Sequence, residues 1–511
     1  MRHLKYLHGI IAITYKITNL GCITMNILLL SSEVAGIIKS GGLADVAKAL
    51  PVQLQAEGHD VRVVMPCYTC IEGYENFPVI GQGVLNESSS DESIKIPYTI
   101  RKTYINKIVE VWLIDCKRYF DRTSMYGDNN QAYGDNGERF AFFAAAALDA
   151  CTRVNYWFDI LHCNDWHTGI APMLLRIKYA KDPYLSKARS VLTIHNGAFQ
   201  GAFDRSQIRM LPEIKDIYND KITQGSYINF LKCGVFYADK INTVSPGYAK
   251  ELTTYLGGHG MTQNYLDRQQ DLSGIVNGCD YSDWDPKTDQ LLRIRYDLES
   301  IDQKVLGKYL LQRKLGFEMG DTPLYGMVAR LTDQKGIGLL IPILDRFLEH
   351  KVQVVIEGTG DPALQNAIAE IAQRHPGKMV FQPVYNNVLA HQIEAAADFF
   401  LMPSIFEPCG LNQIYSLAYG TLPIVRAVGG LKDTVIDYDQ DKANGTGFIF
   451  YDPNSEELLS CLRRTLILYL EDPNELKRIR HNAMKVRFNW SDSCQKYIEL
   501  YKSALKKPAW Q

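Results

Sequence analysis

The chain has 511 residues, with 55 Lys+Arg against 57 Asp+Glu, a formal net charge of -2 and 46% hydrophobic residues. That length implies two or more domains, and the balanced charge excludes the broad basic footprint of a nucleic-acid binder. The eleven cysteines are scattered and odd in number, which excludes a small disulfide framework and points to reduced thiols and a cytoplasmic setting.

Residues 1–24, MRHLKYLHGIIAITYKITNLGCIT, are basic and partly apolar. Tyr15, Lys16 and Asn19 interrupt the apolar run, so it fits no membrane span, and it lacks a clean small-residue cleavage site. The expectation is an extension, disordered or upstream of the true start, with the working chain beginning near Met25. Short apolar runs then alternate with helix-like stretches. Strands are predicted at 27–30, 61–65, 111–114, 160–163, 191–194, 241–244 and 274–276. After a gap they resume at 324–328, 352–356, 379–381, 399–402, 423–425 and 447–450. Near-continuous apolar strands alternating with helices predict parallel sheets covered on both faces. Residues 82–107 are polar and read as a loop or an edge hairpin.

The strand rhythm pauses between about 280 and 320, beginning at CDYSDWDP. The predicted plan is a first α/β domain over 25–285, an interdomain segment over 286–320 and a second α/β domain over 321–485. A final helix over 486–511 completes it. In that helix Tyr497, Leu500, Tyr501 and Ala504 share one apolar face, and Ser491 is the candidate N-cap.

Open parallel sheets bind ligands beyond the carboxyl ends of their strands. After the first strand comes KSGGLADV, residues 39–46. Gly41 and Gly42 permit close backbone approach to an anion, Lys39 adds a charge, and the following helix adds its positive end. It is neither GxxxxGK[ST] nor GxGxxG, and an ordinary turn before a helix is the alternative. LHCNDWHTG clusters His162, Asp165, Trp166 and His167; it reads as a metal site or as a carboxylate and ring meeting a sugar. His195 stands at another strand end. In VARLTDQKG, Arg330 and Lys335 form a candidate phosphate clamp. Glu407, in EPCG, can bind sugar hydroxyls or cap a helix. Cys67 and Cys70 form one CxxC with no second pair at zinc-site spacing.

KSGGLADV, YGDNGERFAFF, HCNDWHTG, TIHNGAFQG, INTVSPGYAKEL, GIVNGCD, VARLTDQKG and EPCGLNQIYSLAYGTLPIVRAVGGLKDTV run in order, ahead of a terminal W-S…Y…LY helix. From Met25 onward the chain resembles the bacterial-type glycogen and starch synthases, retaining glycosyltransferases of the GT-B fold. The resemblance implies two Rossmann-like domains facing a cleft, with the last helix crossing back to the first. It implies transfer of glucose from a nucleotide sugar, ADP-glucose favoured over UDP-glucose, to the 4-hydroxyl at the non-reducing end of an α-1,4-glucan. Its implied catalytic residues are His195, Arg330, Lys335 and Glu407. Lys39, Gly41, Gly42, Asp165, Asn277, Tyr385, Cys409 and Gly410 bind the donor, Tyr385 stacking on the base. Asp45 belongs to the acceptor side.

With three cations for the departing diphosphate and no DxD-type cluster, no metal or other cofactor is expected. Neither nucleic acid nor membrane is an expected partner, and oligomeric state stays open. Where relatives often carry Ala-Pro-Phe, this chain has Ala35-Gly36-Ile37, and Asn412 replaces a frequent Thr. Competing readings are a sucrose- or trehalose-type synthase, a non-catalytic glucan-binding relative, and a metal hydrolase built on HCNDWH.

Overall fold

A computed structural model describes residues 24–88, 93–128, 131–209, 211 and 221–508. Apart from residue 24, the predicted extension lies outside the described residues.

The first domain is built on nine strands in the order β9-β8-β7-β6-β1-β2-β5-β4-β3. They are β1 (Asn26–Leu30), β2 (Asp60–Pro66), β3 (Val79–Ser88), β4 (Ser93–Ile105), β5 (Val109–Asp115), β6 (Ile160–Asn164), β7 (Arg189–Ile194), β8 (Lys240–Thr243) and β9 (Leu272–Gly274). Ile27, Leu28, Leu29 and Leu30 are wholly buried. Helices cover both faces, which is why these strands are apolar rather than alternating. The polar stretch from 82 forms the edge hairpin β3–β4, in which β4 runs antiparallel to both its neighbours, β3 and β5. Charged and small residues there suit an edge facing water. The strand expected at 274–276 sits two residues earlier. Its partner β8 pairs only as far as Thr243 and then turns into the helix Pro246–Leu252, leaving Ile275 and Val276 no ladder.

The second domain has six parallel strands in the order β12-β11-β10-β13-β14-β15. These are β10 (Leu324–Val328), β11 (Gln353–Glu357), β12 (Met379–Gln382), β13 (Phe399–Met402), β14 (Leu422–Arg426) and β15 (Phe448–Phe450). Separate apolar clusters fill its two faces. The segment 286–320 is no bare linker. It contains the helix Lys304–Leu315, whose Leu311 joins Leu389 and Ile393 in the second domain's core. The buried face of that helix carries Lys304, Lys308 and Gln312 beside Leu311, while Val305, Leu306 and Leu310 are exposed, so apolar periodicity does not mark it.

The terminal helix runs Trp490–Leu505 from an N-cap at Asn489, not Ser491. Trp490, Cys494, Tyr497, Ile498, Leu500, Tyr501 and Ala504 all enter the first domain's core. Each large apolar side chain so buried contributes roughly 1.5–3 kcal/mol. The Tyr501 hydroxyl bonds His162 Nδ1 at 2.8 Å. The chain therefore crosses between domains twice, and the crossings touch: the Cys279 amide donates to the Phe488 carbonyl at 2.7 Å, and the Phe488 amide to the Tyr281 hydroxyl at 2.9 Å.

Among the strands paired in parallel the order reverses at one place in each sheet, β1/β6 in the first and β10/β13 in the second. Ligand crevices of open α/β sheets form at such reversals, and here the two face one another.

Candidate functional site

A cavity of about 610 Å³ lies between the domains. Five strand ends supply most of its chemistry. Glu33 follows β1, Asp165 follows β6 and His195 follows β7 on the first domain. Arg330, Lys335 and Glu407 follow β10 and β13 on the second. Gly41, Gly42, Asn277, Cys409 and Gly410 complete the expected set in this cavity.

Asp165 holds a left-handed backbone, φ 54°, a conformation uncommon outside glycine and kept where surrounding structure enforces it. Its Oδ1 accepts the His195 amide at 2.7 Å and the Asn196 amide at 3.4 Å. Burial raises its pKa to about 7 even so, against the lowering effect of those two amides. The His195 ring bonds Asn164 Oδ1 at 2.8 Å. Of the residues lining the cavity, two carry a buried polar atom without a partner among the described residues, Asn277 Oδ1 and His167 Nδ1. An orphaned polar atom beside a cleft is placed to meet a ligand group.

Across the cavity, Lys335 Nζ stands 2.6 Å from Glu407 Oε2, and the Ser404 hydroxyl donates to the same oxygen at 3.0 Å. The clamp lysine is thus joined to the sugar-facing carboxylate, a link that spacing in sequence could not reveal. Gly336 makes it possible. Its φ is 69°, and a Cβ there would stand 1.8 Å from the Pro403 carbonyl oxygen. Arg330 is exposed at the rim, with no carboxylate partner among the described residues.

Lys39, expected to bind the donor, and Asp45, expected on the acceptor side, line a second, adjoining cavity of about 630 Å³ together with Tyr385 and Asn387. The Lys39 ammonium pairs with Asp45 at 2.7 Å. They sit together because they flank the glycine turn that opens the helix Gly42–Ala56. Gly41, Gly42, Leu411 and Asn412 are part of the partition the two cavities share. The amides of the glycine turn are also less free than expected. Glu33 accepts from the amides of Ser40 and Gly41 and from the Ser40 hydroxyl.

Glu33 was missed by sequence reasoning, although it too follows a strand end. Burial raises its pKa, with Ser40 and Gly41 opposing. Trp284 was missed as well. It lines the second cavity, stacked on His391 at 3.7 Å and on Tyr415 at 3.9 Å. The HCNDWH cluster is divided by the fold. His162 turns into the core, bonded to Thr193 Oγ1 at 2.8 Å and to Tyr501, while Asp165 and His167 face the cleft. Among the described residues no three His, Cys, Asp or Glu side chains are grouped to hold a metal ion. Cys67 is buried, with its thiol pKa pushed up to about 12 by burial and the nearby Asp115.

Burial lowers the pKa of His162, His167 and His195 each to about 3. These rings stay neutral, so none should titrate between pH 5 and 9 by NMR. The unfolded chain protonates them near pH 6.5. Their contribution to stability is therefore complete above pH 6.5 and is lost as pH falls toward 3, at about 1.4 kcal/mol per pH unit for each ring. His162→Gln removes one such ring; its stability should decline less steeply from pH 6.5 to 4, by that amount. An unchanged slope would show that His162 is charged in the fold.

Comparison with known proteins follows the same division. Residues 26–266 match the family described as starch synthase catalytic domain, and residues 312–486 match glycosyl transferases group 1. A glycogen synthase of Aeromonas salmonicida is 52% identical over 482 residues, covering 94% of this chain and 98% of that protein. One from Photobacterium profundum is 49% identical, covering 95% and 96%. Among solved structures, the catalytic domain of Starch Synthase IV from Arabidopsis thaliana, bound to ADP and acarbose, superposes with a TM-score of 0.84 at 29% identity. It covers 95% of this chain and 100% of that one. Sucrose-phosphate synthase from Thermosynechococcus elongatus shares the fold at a TM-score of 0.58 and 18% identity.

Proposed function

The chain belongs to the glycogen and starch synthase family of glycosyltransferases, and on that premise we propose that the first cavity takes the glucosyl and diphosphate groups of ADP-glucose and the second its nucleoside. The reaction is glucosyl transfer from a nucleotide sugar to the 4-hydroxyl at the non-reducing end of an α-1,4-glucan, with retention. One observation carries the division of the donor: the Lys335–Glu407 pair faces Asp165 and His195 across one cavity, and Tyr385 lines the cavity next door. The relative solved with ADP and acarbose supports the same pair of ligands here.

The hard step is departure of the diphosphate from the anomeric carbon. Positive charge grows on the sugar and negative charge on phosphate. Arg330 and Lys335 offset the latter within the cavity, and Lys39 does so from its neighbour. These three cations supply the charge that a metal would otherwise supply, so the reaction is assigned no metal. Neutral His195 offers the glucose a hydrogen bond without adding charge beside an oxocarbenium-like centre. Glu407 accepts from Lys335 and Ser404, which opposes its attack on the sugar. We assign a front-face departure in which the phosphate oxygen takes the acceptor's proton. The described cysteines, unbridged and all buried but Cys70, fit a cytoplasmic setting.

The decisive assay follows glucose incorporation into glycogen from ADP-glucose and from UDP-glucose, with product stereochemistry read by NMR. Faster incorporation from ADP-glucose is expected. Preference for UDP-glucose would overturn the donor assignment, and a trapped glucosyl adduct on Glu407 the front-face route.

A further inference from the structure

We propose that the turn joining the helices Pro246–Leu252 and Thr262–Asp267 presents Tyr255 and Leu256 as a platform for the body of the acceptor glucan, outside the catalytic cavity. The proposal rests on the glucosyl-transfer reading above.

Tyr255 is 88% exposed and Leu256 83%, the most exposed large apolar side chains among the described residues. Adjacent apolar groups left in water contribute nothing to folding and mark a contact surface. The turn that carries them is well fastened. The Thr254 amide donates to the Glu251 carbonyl at 2.8 Å, and the Thr254 carbonyl accepts the Gly258 amide at 2.9 Å. The same carbonyl takes the Thr262 hydroxyl at 2.9 Å, while Thr254 Oγ1 accepts the Gly257 amide at 3.1 Å. Gly257 lies so close to the helix that a Cβ would stand 2.3 Å from the Glu251 carbonyl oxygen. With Thr254 and Gly257 both tied down, the two side chains between them project outward from a fixed backbone. A surface held ready in this way loses little freedom on binding.

The platform connects to the cavity through a chain of contacts. Gln200 Nε2 donates to the His259 carbonyl at 2.8 Å and to the Gly197 carbonyl at 3.3 Å. This joins the turn to the loop that follows His195. On that loop Phe199 lines the cavity and is 58% exposed. From the other side, the His259 ring meets the Phe406 ring edge-on at 5.2 Å, next to Glu407. An acceptor whose end unit reaches between His195 and Glu407 must carry its remaining units out over some part of the rim. The rim offers Phe199, and the turn fastened to it through Gln200 and His259 carries Tyr255 and Leu256.

The chemistry suits an α-glucan. Each glucose unit has faces of axial C–H groups that are apolar and edges of hydroxyls that are polar. A tyrosine ring covers such a face and keeps its own hydroxyl for an edge. A leucine beside it adds apolar cover for the next unit. Neither residue adds charge, which suits an uncharged polymer.

The test uses the full chain and the Tyr255→Ala/Leu256→Ala variant, with Tyr255→Trp as the conservative replacement. Initial rates with ADP-glucose give KM and kcat for glycogen, and co-sedimentation with glycogen measures binding without turnover. The double variant should raise KM for glycogen by about tenfold and weaken co-sedimentation by a similar factor. The effect should fall on KM and not on kcat, and Tyr255→Trp should recover most of the affinity. Unchanged KM and co-sedimentation would overturn the platform. So would a fall in oligomeric mass by light scattering, which would assign the pair to contact between copies of this chain. Absence of any glucosyl transfer by the wild type would overturn the underlying reading alone; co-sedimentation would still judge the platform.

Discussion

Lys335→Ala should lower kcat by about 10²-fold or more, because a cation aimed at charge that develops only during departure acts in the transition state. Initial rates of glucose incorporation into glycogen give the value. The geometry adds a second effect. Glu407 is 5% exposed and keeps only the Ser404 hydroxyl once the lysine is gone, and a buried carboxylate stripped of its cation destabilises the fold. Lys335→Ala/Glu407→Gln separates the two. Its melting temperature should recover toward the wild type while kcat stays low. A kcat unchanged in Lys335→Ala would remove the lysine from charge stabilisation.

Asp398→Asn should cost about 3–5 kcal/mol of stability, the usual penalty for removing one partner from a buried charged network. Asp398 Oδ2 accepts Lys308 Nζ at 2.6 Å, and its Oδ1 accepts Arg480 Nη2 at 2.6 Å. The Leu324 amide donates to Oδ2 at 2.8 Å. Burial alone would raise this carboxyl, but Lys308 and Arg480 bring it below its usual pKa. Losing that charge leaves Lys308 buried without its counter-ion. It also loosens three elements at once: the helix Lys304–Leu315, the start of β10 and the helix Pro473–Lys485. Urea unfolding at pH 7 measures the loss. A change under about 1 kcal/mol would show that the network adds nothing net.

Most strands were legible because strands buried on both faces must be apolar throughout, and β1 and β13 are. Strand-end residues were legible for the same topological reason, which is how Asp165, His195, Arg330 and Glu407 came into view. Partnerships were not. Nothing in the spacing joins Lys335 to Glu407 or turns His162 toward Tyr501, since those contacts span 72 and 339 residues. Lys39 and Asp45 are legible as the flanks of the glycine turn, yet which cavity each of them lines depends on the second domain packed against it. Glu33 was overlooked because its work is internal, holding the backbone of the turn.

The two crossings between domains have a mechanical consequence. A pair of bodies joined by one tether can tumble; a pair joined by two adjacent straps can only swing about the line through them. With the Cys279 and Phe488 backbones bonded together and Trp490 packed against Gly278, the straps act as the two knuckles of a door hinge. Any swing of one domain against the other is thereby confined to one arc, which brings Lys335 and Glu407 back to the same place opposite Asp165 and His195.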